Sequence, residues 1–158
     1  MGEVRTQVKL TSIEDIVKSR AGLITKDQIR SIITDAMVDT DAVRSVIPKN
    51  ILESLGVNID SETIAEFANG AKENVSVCEP ILFEIDNRRT YDEAFVLGDE
   101  VLIGQTILEK MDLLVDCNTQ KLIGNPKHPE GPVSKIKSAT ESPARRNSKP
   151  AKQCGCGE

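Results

Sequence analysis

Aromatic side chains are scarce in this sequence, which has no Trp, one Tyr and three Phe. Proteins that bind single-stranded nucleic acid stack bases on such side chains, so the shortage excludes a base-stacking platform. Residues 1 to 126 also carry 13 Lys and Arg against 22 Asp and Glu, a net charge of −9 that would repel a phosphate backbone. We therefore expect no nucleic-acid partner.

Long hydrophobic runs are also missing. No segment approaches the roughly 20 apolar residues that a membrane-spanning helix needs, and the N-terminal MGEVRTQVKL has no hydrophobic signal core. We expect no membrane partner and a cytoplasmic location. Cys78 and Cys117 each lie alone among apolar residues, where buried thiols are expected, and the C-terminal CGCGE is half of a typical zinc site. The sequence therefore predicts no disulfide framework, no metal and no cofactor.

The last part of the sequence has few large apolar residues. From residue 127 to 158 it is rich in Pro, Ser, Lys and Gly, and it holds seven Lys and Arg against three Glu. We predict one domain over residues 1 to 126 and a disordered, basic C-terminal tail over residues 127 to 158. The single histidine, His128, is then expected to be a solvated residue of the tail.

Short apolar stretches separated by turn residues make up most of residues 1 to 126, a pattern typical of a mainly β fold. The predicted strands are a first one around Val4, Val8 and Leu10, then residues 31–38, PILFEI, YDEAFVL, EVLIG, DLLVD and QKLIG. The segment from SIEDIV to TKDQIRSI fits a long hairpin as well as short helical turns, and the sequence does not decide between them.

Two short helices are predicted between these strands. In VIPKNILESLGV, Pro48 suits the first turn, three apolar residues share one face, and Gly56 stands where a helix C-cap belongs. The second helix is QTILEKM. Asn69-Gly70 lies between two alternating stretches and predicts a projecting β-hairpin with Asn69, Gly70 and Ala71 at its tip.

The stretch DAMVDTDAV, residues 35–43, combines a buried strand with acidic chemistry. Apolar residues lead directly into Asp39-Thr40-Asp41, followed by Ala42. Further along come IPKNILESLGV and EVLIGQTILEKMDLLVD. In this order the segments resemble the retropepsin-like aspartic peptidases, over about residues 4 to 126. The resemblance implies a closed β-barrel or sandwich with a flap hairpin and one or two short helices.

The resemblance also implies roles for individual residues. Asp39 matches the catalytic aspartate, and Thr40 matches the residue whose hydroxyl braces the two active-site loops. Asp41 and Ala42 complete the active-site loop. The hairpin tip at Asn69, Gly70 and Ala71 matches the flap that closes over substrate, and Leu102, Ile103 and Gly104 match the apolar-apolar-Gly segment that packs beneath the loop.

The chemistry of such a site requires two carboxylates. One takes a proton from water while the other polarises the peptide carbonyl, and like charges this close share one proton. The chain has one clear motif. LLVDC also places Asp116 after an apolar stretch, but this Asp is better explained as the start of a turn. We therefore expect a two-fold homodimer that cleaves a polypeptide substrate with paired Asp39 carboxylates.

One residue departs from the family pattern, in which Gly follows Asp-Thr or Asp-Ser. Asp41 occupies that position here, and it lacks the conformational freedom of Gly and adds a second carboxylate in each subunit. Two hypotheses follow: an active endopeptidase that works best below neutral pH, and a catalytically impaired module of the same fold that dimerises or binds peptides.

A third hypothesis belongs to another class of enzyme. An apolar strand followed by Asp-x-Asp also opens the haloacid-dehalogenase phosphatases, which use Mg²⁺, and FVLGDE resembles their later Gly-Asp motif. Those enzymes need alternating strands and helices around a parallel sheet, and the hairpin-rich middle of this sequence argues against that fold.

Overall fold

The computed structural model describes residues 2 to 136, and it is mainly β with three short helices. The strands alternate inward apolar and outward polar side chains, as Val8 and Leu10 do against Gln7 and Lys9 in the first of them. The strands are β1 (Arg5–Ser12), β2 (Ser31–Val38), β3 (Val46–Ile47), β4 (Ile59–Glu66), β5 (Lys72–Cys78), β6 (Ile81–Ile85), β7 (Arg88–Asp92), β8 (Phe95–Val96), β9 (Val101–Ile103), β10 (Leu113–Asp116) and β11 (Lys121–Gly124).

The three helices are α1 (Ile13–Arg20), α2 (Lys49–Leu55) and α3 (Gln105–Met111). The helix predicted before Gly56 is confirmed, because Gly56 ends α2 in the left-handed conformation at φ 67°. The predicted QTILEKM helix corresponds to α3. No helix among residues 2 to 136 has the length and apolar content needed to cross a membrane.

Nine strands form one curled sheet in the order β4-β5-β8-β3-β9-β2-β1-β6-β7, and β10 and β11 form a separate hairpin. Most neighbours are antiparallel, while β2 pairs with β9 and β3 pairs with β8 in parallel. The mainly β prediction is confirmed. Strands β4 and β7 lie at the two ends of this order and do not pair with each other within residues 2 to 136. The sheet is therefore open, whereas a closed barrel or sandwich was expected.

The core lies on one face of this curled sheet and is almost entirely aliphatic. Leu10, Ile47, Phe83 and Ile103 are fully buried there, and α2 and α3 add their apolar faces to the same cluster. Cys78 belongs to this cluster as predicted, and burial raises the pKa of its thiol. Cys117 is exposed, which corrects its predicted burial, because the turn between β10 and β11 carries it outward.

The ambiguous segment after β1 is a helix followed by a 3-10 turn at Lys26–Gln28. Ser12 caps α1 by accepting a hydrogen bond from the backbone N–H of Asp15. The buried carboxylate of Asp15 in turn accepts hydrogen bonds from the backbone and guanidinium of Arg30, at 2.8 to 3.0 Å. This contact holds both ends of the segment together, and it holds the pKa of Asp15 at about 2.

The turn after β6 is short. It consists of Asp86 and Asn87, so Arg88 and Arg89 belong to β7. Arg88 is nearly buried, and its guanidinium donates to the carbonyl oxygens of Met111 and Asp112. The YDEAFVL segment is accordingly divided between the end of β7 and the short strand β8.

The first residues of the predicted tail lie against the domain. The side chain of Asp112 accepts hydrogen bonds from Asn125, from the ring of His128 and from the backbone N–H of Val133. The amide of Asn125 and the other donors hold the pKa of Asp112 at about 2. His128 is therefore half-buried and bonded, which corrects its predicted solvation. Residues 137 to 158, with the CGCGE segment, lie outside the described residues.

Candidate active site

Asp39 is the first residue after β2 and opens a tight turn. Its backbone N–H still donates to the carbonyl of Ile103 in β9, at 2.9 Å. Its own carbonyl accepts from the N–H of Ala42 at 3.2 Å, and its side-chain Oδ1 accepts from the N–H of Asp41 at 3.1 Å. The turn is thus closed by backbone and side chain together, an arrangement that Asp favours. One carboxylate oxygen of Asp39 is oriented by the chain itself.

The strand order explains why this turn has a fixed place. Residues 39–45 connect β2 to β3, and β9 lies between these two strands, parallel to β2 and antiparallel to β3. The connection therefore passes over the end of β9, where α3 begins. The carbonyl of Ala42 accepts from the N–H of Gln105 at 2.7 Å, and the carbonyl of Val43 accepts from Thr106. Carbonyl groups of the turn thus accept hydrogen bonds from the first N–H groups of α3, which have no partner within the helix.

Gly104 forms the closest contact between the two segments. A side-chain carbon on Gly104 would lie 2.6 Å from the backbone carbon of Arg44, which is closer than two such atoms can approach. The N–H of Gly104 donates to the hydroxyl of Ser45 at 2.9 Å, and Ser45 is fully buried. The apolar-Ile-Gly segment therefore packs against the Asp39 turn, and glycine is required there by space.

The other predicted residues of the loop face outward. Thr40 and Asp41 are exposed, whereas Asp39 and Ala42 are half-buried. Among residues 2 to 136, no cation forms an ion pair with Asp39 or Asp41. Arg44, the closest basic residue along the chain, pairs with Glu93 instead. The loop thus presents two carboxylates that no neighbouring cation neutralises.

The predicted hairpin is formed by β4 and β5. The N–H of Phe67 donates to the carbonyl of Ala71, and the N–H of Gly70 donates back to the carbonyl of Phe67, both at 2.8 Å. Gly70 adopts φ 86°, and the side-chain oxygen of Asn69 accepts from the N–H of Ala71. This is a three-residue hairpin loop with glycine at the left-handed position. The tip is exposed, and β4 is an edge of the sheet.

An apolar row that the sequence analysis did not identify connects the two features. Strand register places five side chains side by side on the sheet face opposite the core. In order from the Asp39 turn towards the hairpin, the apolar row is Met37, Leu102, Val46, Phe95 and Val77. Three of the five are only half-buried although all are apolar.

The signal for this row is present in the sequence. Met37 alternates with buried Ala36, and Leu102 alternates with buried Val101 and Ile103, so a second apolar face is implied. What the sequence lacks is the pairing of β2 with β9 and of β3 with β8, which brings the row together. The row provides an apolar floor beginning two residues before Asp39, suited to side chains of an extended chain.

Asp116 has a local role. Its side chain accepts from the hydroxyl of Thr119 and from the N–H of Asn118, and these hydrogen bonds lower the pKa of Asp116. This carboxylate is engaged within the turn between β10 and β11, as the sequence predicted. No group of three or more His, Cys, Asp or Glu side chains within residues 2 to 136 is arranged to hold a metal ion.

Comparison of the chain with models of known protein families and with curated proteins found no match in either set. The function of the chain is therefore inferred from the geometry of the Asp39 turn, the hairpin and the apolar row.

Proposed function

We propose that this chain is a retropepsin-like aspartic endopeptidase that works as a two-fold symmetric homodimer. The observation that carries the proposal is the Asp39 turn, which passes over the end of β9 and is held by Ile103 and Gly104. A turn fixed in this way holds a carboxylate in one position, as general acid/base catalysis requires. Thr40, the next residue, is exposed, and in the proposed dimer its hydroxyl would brace this turn against that of the partner.

The proposed reaction uses the Asp39 carboxylates of both protomers. At short separation the pair shares one proton. The ionised carboxylate accepts a proton from water, which attacks the peptide carbonyl, while the protonated carboxyl donates its hydrogen bond to the carbonyl oxygen. The C–N bond of the peptide then breaks, and the proton taken from water passes to the leaving amine. In each protomer the backbone N–H of Asp41 already orients one oxygen of Asp39.

The remaining parts of the site are assigned to substrate. The apolar row, from Met37 to Val77, supports apolar side chains of an extended polypeptide, and the β4-β5 hairpin with its tip at Asn69, Gly70 and Ala71 serves as the flap. The parallel pairing of β2 with β9 supports this assignment, because it places Met37 beside Leu102 on the same face of the sheet as Phe95.

A second candidate function is a dimerising or peptide-binding module of the same fold that does not cleave. The observation that favours it is Asp41, which is exposed on the same turn as Asp39 and has no cation to neutralise it among residues 2 to 136. In a symmetric dimer four carboxylates would meet near the axis. Their repulsion weakens the dimer or prevents the ionisation that catalysis needs.

Peptide cleavage across a range from about pH 3 to about pH 8 separates the two functions. We expect wild-type activity below neutral pH, complete loss in Asp39→Asn, and a gain of about tenfold or more in Asp41→Gly, since that change removes the extra like charge. Absence of cleavage by both wild type and Asp41→Gly at every pH, with peptide binding retained, would support the binding module. Hydrolysis of a phosphate ester that depends on Mg²⁺ would contradict both.

A further inference from the structure

A pocket of about 270 Å³ lies on the sheet face opposite the core, beneath α1 and the 3-10 turn. Its floor is formed by three neighbouring strands, with Thr11 from β1, Ser31 from β2 and Leu82 from β6. The strand register pairs Thr11 with both of the others, so the three side chains lie on the same face. Ile16 of α1 and Ile29, after the 3-10 turn, form the walls.

The walls of this pocket are held in place by the ion pair of Asp15 with Arg30. Ile16 and Ile29 are the chain neighbours of these two residues, whose hydrogen bonds measure 2.8 to 3.0 Å. The backbone N–H of Ser12 also donates to the carbonyl of Arg30 at 3.1 Å. The segment that covers the floor is thus tied down at both ends, and the pocket is a fixed part of the fold.

One polar group of the floor lacks a partner. Thr11 is only 5% exposed, and its hydroxyl forms no hydrogen bond within residues 2 to 136. Thr11 follows the core residue Leu10 in β1, so its side chain lies on the pocket face of the sheet. A buried hydroxyl without a partner is costly. A polar group that enters from the pocket side would supply the missing hydrogen bond.

The charged side chains around the pocket are mostly basic. Lys9 and Lys26 line it, and within residues 2 to 136 neither forms an ion pair. The one carboxylate in the lining, Glu84, stands between Lys9 and Arg89 in the strand register. This local excess of positive charge lies on residues 1 to 126, whose net charge is −9. The pocket therefore favours an anion over a cation.

The apolar walls and the single carboxylate narrow the choice of anion. Ile16, Ile29 and Leu82 present hydrocarbon to the pocket, which suits a compact apolar group attached to the anion. The half-buried Glu84 would repel a doubly charged phosphate more strongly than a singly charged carboxylate. A carboxylate can also accept several hydrogen bonds at once, from ammonium groups and from a hydroxyl.

We infer that this pocket binds a small carboxylate with a compact apolar group, held by the ammonium groups of Lys9 and Lys26 and the hydroxyl of Thr11. The inference goes beyond the proposed function and does not depend on it. Ser31 opens β2 and Asp39 follows its last residue, so about 25 Å of strand separates this pocket from the Asp39 turn.

Binding of two probes of equal shape to the full-length wild-type protein at neutral pH tests the inference. The probes are isocaproate, a branched carboxylate, and isocaproamide, its neutral amide, and the readout is the shift of backbone amide NMR signals. We expect isocaproate to saturate with a Kd of about 0.1 to 1 mM and isocaproamide to bind about tenfold more weakly. The largest shifts should fall on residues 9–11, 29–31 and 82–84.

Two sets of variants identify the groups that bind. Lys9→Gln with Lys26→Gln should bring the affinities for the two probes close together. The matched control, Lys49→Gln with Lys121→Gln, removes the same charge at exposed positions outside the pocket and should keep the difference. Thr11→Val should weaken isocaproate binding about threefold or more without lowering the free energy of unfolding, because the hydroxyl has no partner to lose.

Several results would overturn the inference. These are equal affinity for the two probes, no saturation by either up to about 10 mM, loss of the difference in the control variant, or unchanged isocaproate binding in Thr11→Val. Inorganic phosphate is a third probe, and binding as tight as that of isocaproate would contradict a role for the apolar walls. Asp39→Asn should bind isocaproate as wild type does, so the outcome is independent of whether the chain cleaves peptides.

Discussion

The backbone N–H of Asp39 donates to the carbonyl of Ile103 across 2.9 Å, which joins the start of the acidic turn to the end of β9. The two residues are far apart in the chain. Asp39 belongs to DAMVDTDAV and Ile103 to EVLIGQTILEKMDLLVD, two of the segments that carry the family resemblance. Their contact makes the position of the Asp39 carboxylate depend on how tightly the junction of β9 and α3 packs beneath the turn.

Gly104→Ala should disturb that junction directly. The new carbon would lie 2.6 Å from the backbone of Arg44, so the turn must move away. We expect the free energy of unfolding to fall by about 1 to 3 kcal/mol, measured by urea denaturation, and peptide cleavage to be lost. Gly2→Ala is the control, because its added carbon would meet only a side-chain oxygen at 3.6 Å. Equal stability of the two variants would show that the junction is not tightly packed.

Ser45→Ala tests the hydrogen bond on the other side of the same contact. The change leaves the N–H of Gly104 without its 2.9 Å partner in a fully buried position. The free energy of unfolding should fall by about 1 to 3 kcal/mol. Ser54→Ala, on the exposed surface of α2, should change it much less. If both variants unfold at the same urea concentration, Ser45 does not hold the junction together.

The ion pair of Asp15 with Arg30 should appear in the stability of the protein towards acid. Arg30 lowers the pKa of Asp15 from 3.8 to about 2, so the folded protein binds fewer protons than the unfolded chain in this range. The stabilisation is complete above the unfolded value and is lost as the pH falls through about 2.

Asp15→Asn removes this contribution. We expect urea denaturation near neutral pH to show a loss of about 1 to 3 kcal/mol, and the difference from wild type to shrink in acid. Glu14→Gln breaks only an exposed pair with Lys18 and should cost less than about 0.5 kcal/mol. A constant difference between wild type and Asp15→Asn at all pH values would contradict the depressed pKa.

Asp112→Asn should loosen residues 125–133 without unfolding the domain. The carboxylate accepts from Asn125, His128 and Val133, and an amide in its place would turn a donor towards some of these donors. Amide exchange in this segment should rise about tenfold or more. Asp99→Asn, in the exposed turn before β9, is the control and should leave amide exchange of residues 125–133 unchanged.

The features that the sequence predicted well are those with local causes. Gly56 ends α2 because a left-handed residue is needed there, and Asn69-Gly70 forms a hairpin loop from its own backbone preferences. The Asp-Thr-Asp turn is also local, since the backbone N–H of Asp41 donates to the side chain of Asp39. These signals act over a few residues, so one sequence is sufficient to read them.

The features that remained hidden depend on contacts between distant segments. The helix α1 is held by Asp15 and Arg30, which lie fifteen residues apart. The burial of His128 depends on Asp112 and Arg88, and the apolar row exists only because β2 lies beside β9. From the sequence alone, Met37 would be assigned to the core. The strand that pairs with β2, and therefore the sheet face on which Met37 lies, is not known from the sequence.

The central claim is that two Asp39 carboxylates from separate protomers form one site, and mixing protomers tests it most directly. Wild type at a fixed concentration is equilibrated with increasing amounts of Asp39→Asn, and cleavage of one peptide is followed. Random exchange into inactive mixed dimers should reduce the rate to about half at equal amounts and about a quarter at threefold excess. A rate that stays constant as Asp39→Asn is added, or cleavage by Asp39→Asn alone, would contradict the shared site.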